Sequence, residues 1–158
     1  MGEIVVLVVE DSAVHQGLLA EAFKASGQEA HLVFHADAGG AWATIERMLY
    51  QARTDWPDFA IIDIGLPGMS GIELVDRIRQ LRHVDGWPIV MLTASQDPDD
   101  RRESLLAKAT GYFVKPTTAA GYRQLVGEIL EFLGYDPEPP AAKAPARRTP
   151  SPGRLDTR

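Results

Sequence analysis

Phe59-Ala60-Ile61-Ile62-Asp63-Ile64-Gly65-Leu66-Pro67-Gly68 is the stretch that decides the fold. An apolar run ends in a carboxylate and then breaks into a Gly/Pro loop. This is the pattern of a buried strand whose last residue stands at the rim of a sheet, not on a solvated helix face. The pattern recurs. Ile4 to Val9 runs into Glu10 and Asp11, and Thr93 and Lys115 close two further apolar runs. Five polar groups that each terminate a buried strand converge on one edge of a parallel sheet.

Working outward, strands are expected near 3–9, 30–35, 58–63, 88–93 and 111–115, and helices near 12–26, 38–53, 71–82, 98–109 and 118–133. Ser12 is a candidate cap for the first helix and Gly27 its stop. Leu18, Leu19, Ala22, Phe23 and Ala25 make a helical stripe there, as do Tyr122, Leu125, Val126, Ile129, Leu130 and Leu133 in the last helix. The strands do not alternate strictly, as expected where helices cover both faces. Five such βα repeats predict an α/β fold, one doubly wound, flavodoxin-like, five-stranded parallel sheet of order 2-1-3-4-5. In that order the strand sequence reverses between the first and third strands, which end in Glu10-Asp11 and Asp63, so topology brings the three acids together.

Length and composition bound the function. The 158 residues support one domain. The stretch 1–133 forms the folded body, and 134–158, which holds six of the 11 prolines, reads as a flexible Pro/Ala/Arg-rich tail. The body carries 11 basic and 19 acidic residues, a net of −8, which disfavours direct DNA binding. No apolar run is long enough for a membrane span, and Glu3 stands where a signal peptide would be positive. Without cysteine there is neither a disulfide framework nor a zinc-thiolate site. A cytoplasmic protein is expected.

The chemistry follows from the acids. Three carboxylates at close range raise one another's pKa, and a hard divalent cation relieves them. Oxygen ligands with room for water suit Mg²⁺. A phosphoryl group over Asp63 would meet metal, the Lys115 ammonium and the Thr93 hydroxyl, with Asp63 as the nucleophile that becomes an acyl phosphate. Taken singly, each residue has a plainer explanation: a helix cap for Asp11, a turn start for Asp63, a strand residue for Thr93, a solvated charge for Lys115. Their joint occurrence at strand ends makes the site.

With these motifs in place, the chain resembles a response-regulator receiver domain of two-component signalling, CheY-like and single-domain. The resemblance rests on Leu7-Val8-Val9-Glu10-Asp11-Ser12, on Asp63 through Gly71, on Met91-Leu92-Thr93-Ala94 and on Gly111-Tyr112-Phe113-Val114-Lys115-Pro116, and it covers residues 3–133. It implies that Asp63 accepts phosphate from a sensor histidine kinase. It also implies that Asp11 and Asp63 ligate Mg²⁺ directly, with Glu10 acting through water and Gly65 through its backbone carbonyl. Lys115 would bind the phosphoryl group ahead of a cis bond to Pro116, and Thr93 and Tyr112 would form a switch pair. The long segment Glu46 to Pro57, with Trp56-Pro57-Asp58, resembles standalone receivers paired with phytochrome-type kinases, implying a bacteriophytochrome as the kinase.

Gly65 and Ser95 depart from common receiver patterns beside the phosphoryl position, and His15 lies one turn into the first helix near the same rim, where a solvated helix residue is the favoured reading and a site-modulating histidine the alternative. The expected function is a phosphorylation-controlled switch acting on a downstream protein target and not itself an enzyme, though it would catalyse its own phosphorylation and dephosphorylation. One alternative is a phosphorelay intermediate that passes phosphate to a histidine phosphotransfer protein. Another is an aspartyl-phosphate phosphohydrolase, disfavoured because Gly65 stands where a second acid would protonate the leaving group. Phe132, off the last helical stripe, and Tyr135 beyond it mark the face of helix 4, strand 5 and helix 5 as a partner surface, including a homodimer.

Overall fold

The computed structural model describes residues 2–135. Five strands, β1 (Ile4–Val9), β2 (Ala30–His35), β3 (Phe59–Asp63), β4 (Ile89–Thr93) and β5 (Gly111–Val114), alternate with α1 (Ala13–Ala25), α2 (Ala38–Met48), α3 (Gly71–Arg79), α4 (Pro98–Leu106) and α5 (Ala119–Phe132). The strands form one parallel sheet in the order β2-β1-β3-β4-β5. The expected architecture is the observed one. Among the described residues, no helix is long and apolar enough to cross a membrane. The proposed tail lies outside the described residues from Asp136 onward.

Successive strand residues point to opposite faces, and the sequence sorts accordingly. Leu7, Val9, Ala60, Ile62, Ile89 and Met91 pack with α2 and α3 in one core. Val6, Val8, Phe59, Ile61, Val90 and Leu92 pack with α1 and α5 in the other. The α5 stripe buries Tyr122, Leu125, Val126, Ile129 and Leu130, the four aliphatic side chains each worth about 1.5–3 kcal/mol when withdrawn fully from water. Leu133 is only partly covered, and Ala25, expected on the α1 stripe, is exposed.

Helix ends show where local chemistry decides. Ser12 caps α1, its side chain accepting from the His15 N–H at 3.2 Å, and Gly27 follows at φ 87°. Ser70 and Glu73 form a reciprocal capping box on α3. The second helix, expected over 38–53, stops at Met48. Trp56 Nε1 donates to the Met48 carbonyl at 2.8 Å, and Leu49, Tyr50 and Gln51 bond three residues back, tightening the chain before a 3₁₀ turn at Arg53–Asp55. The fourth helix, expected to reach 109, ends at Leu106 because Lys108 takes a left-handed φ of 72°.

Phe132 is half exposed, as expected for a residue off the stripe, but it is not free: its ring meets Phe113 edge-to-face at 5.6 Å across Gly111. Tyr135 corrects the expectation. It folds back onto Phe59 at 5.9 Å and belongs to the core, not to the partner face.

The loop after Asp63 returns so tightly that a Cβ on Gly71 would lie 2.1 Å from the Asp63 carbonyl oxygen, while the Gly71 N–H donates to the Ile64 carbonyl at 3.0 Å. Gly71→Ala must push α3 off the strand end. A loss of about 1–3 kcal/mol is expected from the denaturation midpoint. An unchanged midpoint would show that α3 is not seated this closely.

Candidate functional site

The acids arrive by different routes. Glu10 follows β1, and its backbone N–H still continues the ladder to the His35 carbonyl at 2.9 Å. Its side chain is buried, with Oε2 accepting from the Ser12 N–H at 3.0 Å. Asp11 stays exposed, and because Ser12 takes the capping role Asp11 is free of it. Asp63 is the buried last residue of β3, and its Oδ1 accepts from the Gly65 N–H at 3.1 Å. The turn-forming explanation of Asp63 is thus true of one oxygen and leaves the other for the site. Ligand oxygens of Glu10, Asp11 and Asp63 all lie within 4.8 Å of one another, a donor set that fits a hard divalent cation.

Lys115 crosses to these acids from beyond β5. Its Nζ lies 2.8 Å from Glu10 Oε1 and 3.0 Å from Asp63 Oδ2, with the side chain only 7% exposed. The Lys115 N–H continues the ladder to the Thr93 carbonyl at 2.7 Å, which fixes the root of the side chain. The Lys115–Pro116 bond is trans, which corrects the expectation of cis. The trans form is the intrinsically preferred isomer of an X–Pro bond, by about 0.5–1 kcal/mol, and here it delivers the ammonium to both acids.

Burial works to lower the Lys115 pKa, but hydrogen bonds and charge from Glu10 and Asp63 outweigh it and hold the group above the ordinary lysine value. The Tyr122 hydroxyl, buried at the same rim without a hydrogen-bond partner, is pushed up by burial, with the Lys115 charge pulling it back.

Thr93 is buried at the end of β4, and its Oγ1 accepts from the Ser95 N–H at 3.0 Å. Tyr112 is half-buried on β5, and its hydroxyl donates to the Ser95 carbonyl at 3.3 Å. Both side chains therefore hold the same residue, one at its amide and one at its carbonyl. The cleft over these groups encloses about 480 Å³ and is lined also by His15, Asp100 and Ser95. Sequence reasoning brought Glu10, Asp11, Asp63, Gly65, Thr93 and Lys115 to this edge, with Tyr112 beside it. It underweighted His15, whose spacing of four after Asp11 was the available signal, and it missed the hydroxyl end of Tyr122.

Residues 6–126 match the family described as the response regulator receiver domain, and the chain belongs to that family. It is 28% identical over 136 residues to the probable methanogenesis regulatory protein FilR2 of Methanothrix harundinacea, covering 85% of this chain and 87% of FilR2. It is 37% identical over 110 residues to the two-component response regulator PhoP of Pseudomonas aeruginosa, covering 70% of this chain but only 44% of PhoP. Among solved structures it resembles the phosphorylated cyanobacterial phytochrome response regulator RcpA, at TM-score 0.73 and 26% identity over 83% of this chain and 94% of that one. It also resembles the Mn²⁺-bound response regulator Rcp1, at TM-score 0.71 and 26% identity over 87% and 99% of the two chains.

The sign of the Lys115 shift gives a pH test. Its folded value is raised, so its contribution to stability is complete below the unfolded lysine value of about 10.4 and is lost as pH climbs through the folded one. Unfolding free energy should fall through this alkaline window, and Lys115→Met should lack that component. Equal slopes in the two proteins would contradict the ion pairs.

Proposed function

We propose that this chain is a phosphorylation-controlled switch in which Asp63 accepts a phosphoryl group from a sensor histidine kinase. The observation that carries this reading is the Lys115 ammonium bonded at once to Glu10 and Asp63 beside a third acid, at the carboxyl edge of the sheet. Asp63 Oδ2 attacks phosphorus, the phosphorus–nitrogen bond of the donor phosphohistidine breaks, and the leaving imidazole keeps the electron pair and takes a proton. Lys115 exchanges a carboxylate oxygen for a phosphoryl oxygen and neutralises charge there.

Glu10, Asp11 and Asp63, with the Gly65 carbonyl, would hold Mg²⁺, which supplies charge neutralisation on the phosphoryl oxygens when bound. Glu10 Oε2 is taken by the Ser12 N–H, whereas Oε1 is buried with only the Lys115 charge at 2.8 Å and no hydrogen-bond donor aligned on it, so this oxygen has capacity left for a metal-bound water. A Cβ on Gly65 would meet only Asp63 Oδ1, at 3.9 Å, so this flank of the nucleophile stays open. It also holds no acid to protonate a leaving group, which argues against the phosphohydrolase.

Thr93 would turn its hydroxyl to the phosphoryl group and release the Ser95 amide. Tyr112, bonded to the Ser95 carbonyl, feels that shift. The affected face exposes Leu105 and Leu106 on α4, Val114 on β5 and Phe132 on α5, which suits a partner protein or a second copy of the chain. The likeness to the phytochrome response regulator RcpA supports a phytochrome-type kinase as the phosphodonor, and membership of the receiver family is consistent with the cytoplasm as the compartment.

Incubation with acetyl phosphate and Mg²⁺ should add one phosphate to the wild type and none to Asp63→Asn. Full labelling of the variant would remove Asp63 from the role. Mg²⁺ titration of Asp11→Ala should show affinity at least about tenfold weaker, since a ligand and part of the site charge are gone. Sedimentation at several concentrations tests the homodimer: phosphorylation should shift the mass, and Leu106→Glu should abolish the shift. One mass under every condition would leave the face to another protein.

A further inference from the structure

Lys115 has a third acceptor. Beyond Glu10 Oε1 and Asp63 Oδ2, its Nζ lies 3.0 Å from His15 Nδ1. An ammonium only donates, so an Nδ1 that accepts from it must be the unprotonated ring nitrogen, with the ring proton on Nε2. The same Nδ1 lies 3.5 Å from Glu10 Oε2, the longer of its two contacts. The residue is held at three points, two of them on the ring. Its backbone N–H is bound by Ser12 Oγ, its ring stacks on the buried Tyr122 ring at 6.3 Å and 29°, and Nδ1 takes the lysine.

We infer that His15 is a positioning residue that tethers the Lys115 ammonium at the site while its carboxylate partners change. The inference rests on Asp63 being the phosphoacceptor. Both carboxylates have other claims on them: Glu10 Oε2 accepts from the Ser12 N–H, Asp63 Oδ1 from the Gly65 N–H, and Asp63 must present an oxygen to phosphorus. Once that oxygen is phosphorylated it loses its carboxylate charge and becomes a poorer acceptor for the ammonium. The neutral imidazole undergoes no such change. With one N–H kept on Nδ1, the other two are free to turn to phosphoryl oxygens, and the flexible lysine stem does not have to be ordered afresh.

Two substitutions separate the acceptor from the packing. His15→Asn places an amide oxygen the same number of bonds from the backbone as Nδ1 but removes the ring. His15→Phe keeps a ring on Tyr122 and removes the acceptor. With acetyl phosphate and Mg²⁺, which bypass any kinase contact, the Phe variant should form Asp63 phosphate about tenfold more slowly, a barrier increase of about 1.4 kcal/mol. The Asn variant should stay within about twofold of wild type, the residual reflecting the lost stacking. A Phe variant as fast as wild type, or an Asn variant as slow as Phe, overturns the tether.

A second measurement needs neither turnover nor metal. The ring-nitrogen NMR shifts of His15 in the unphosphorylated protein should show a protonated Nε2 and a bare Nδ1, and a protonated Nδ1 overturns the inference. If the wild type takes no phosphate, or Asp63→Asn still takes it, the phosphoacceptor reading falls and the tether with it. A wild type labelled at Asp63 alongside an indifferent Phe variant overturns only the tether.

Discussion

Glu10 and Asp63 are buried carboxylates on neighbouring strand ends, and one ammonium makes that arrangement tolerable. Removing two charges from water costs several kcal/mol per ion unless they are closely paired. Lys115 supplies the pairing from two strands away from Asp63 and three from Glu10, reaching past the end of β4 to join the end of β5 to those of β3 and β1. This bond spans the sheet, and its geometry depends on every strand between. The strand order, the Thr93–Lys115 ladder bond and the tight return at Gly71 all serve to hold these ends in register.

Most of this was legible because it follows from strand periodicity and position. An apolar run that ends in a polar residue places that residue at the rim whatever the details of packing, so Glu10, Asp63, Thr93 and Lys115 could be placed without coordinates. What was not legible depends on contacts between distant segments. The end of α2 is set by Trp56 reaching back to the Met48 carbonyl, and the end of α4 by a left-handed Lys108 where no glycine announces a stop. Tyr135 looked like surface because the residues after a helix stripe usually are, and only the position of Phe59 shows otherwise. His15 is a fourth case: its neighbours on the helix say little, whereas Lys115, 100 residues away in sequence, brings its ring into the site.

The two sides of the molecule are unequally anchored. On α5 five side chains are buried, whereas α4 buries only Ser104, whose hydroxyl turns back to the Asp100 carbonyl at 2.8 Å. Leu105 and Leu106 face solvent on the same helix. An element with few buried apolar contacts sits at the low end of local stability, where alternative positions are separated by small free energies.

That inequality bears on how a chemical event at Asp63 reaches the surface in the function proposed. Thr93 and Tyr112 grip Ser95 at its amide and its carbonyl, and Ser95 Oγ accepts in turn from the N–H of Asp97, the residue that caps α4. In that function, a change at Thr93 would pass through consecutive hydrogen bonds to the start of the least anchored helix. A ligand shifts an equilibrium only by its difference in affinity for two states. A few kcal/mol from a relocated hydroxyl and a neutralised phosphoryl group would move little if α4 were packed as α5 is. Against a helix that buries only one serine, the same energy would be enough to change which surface the protein presents.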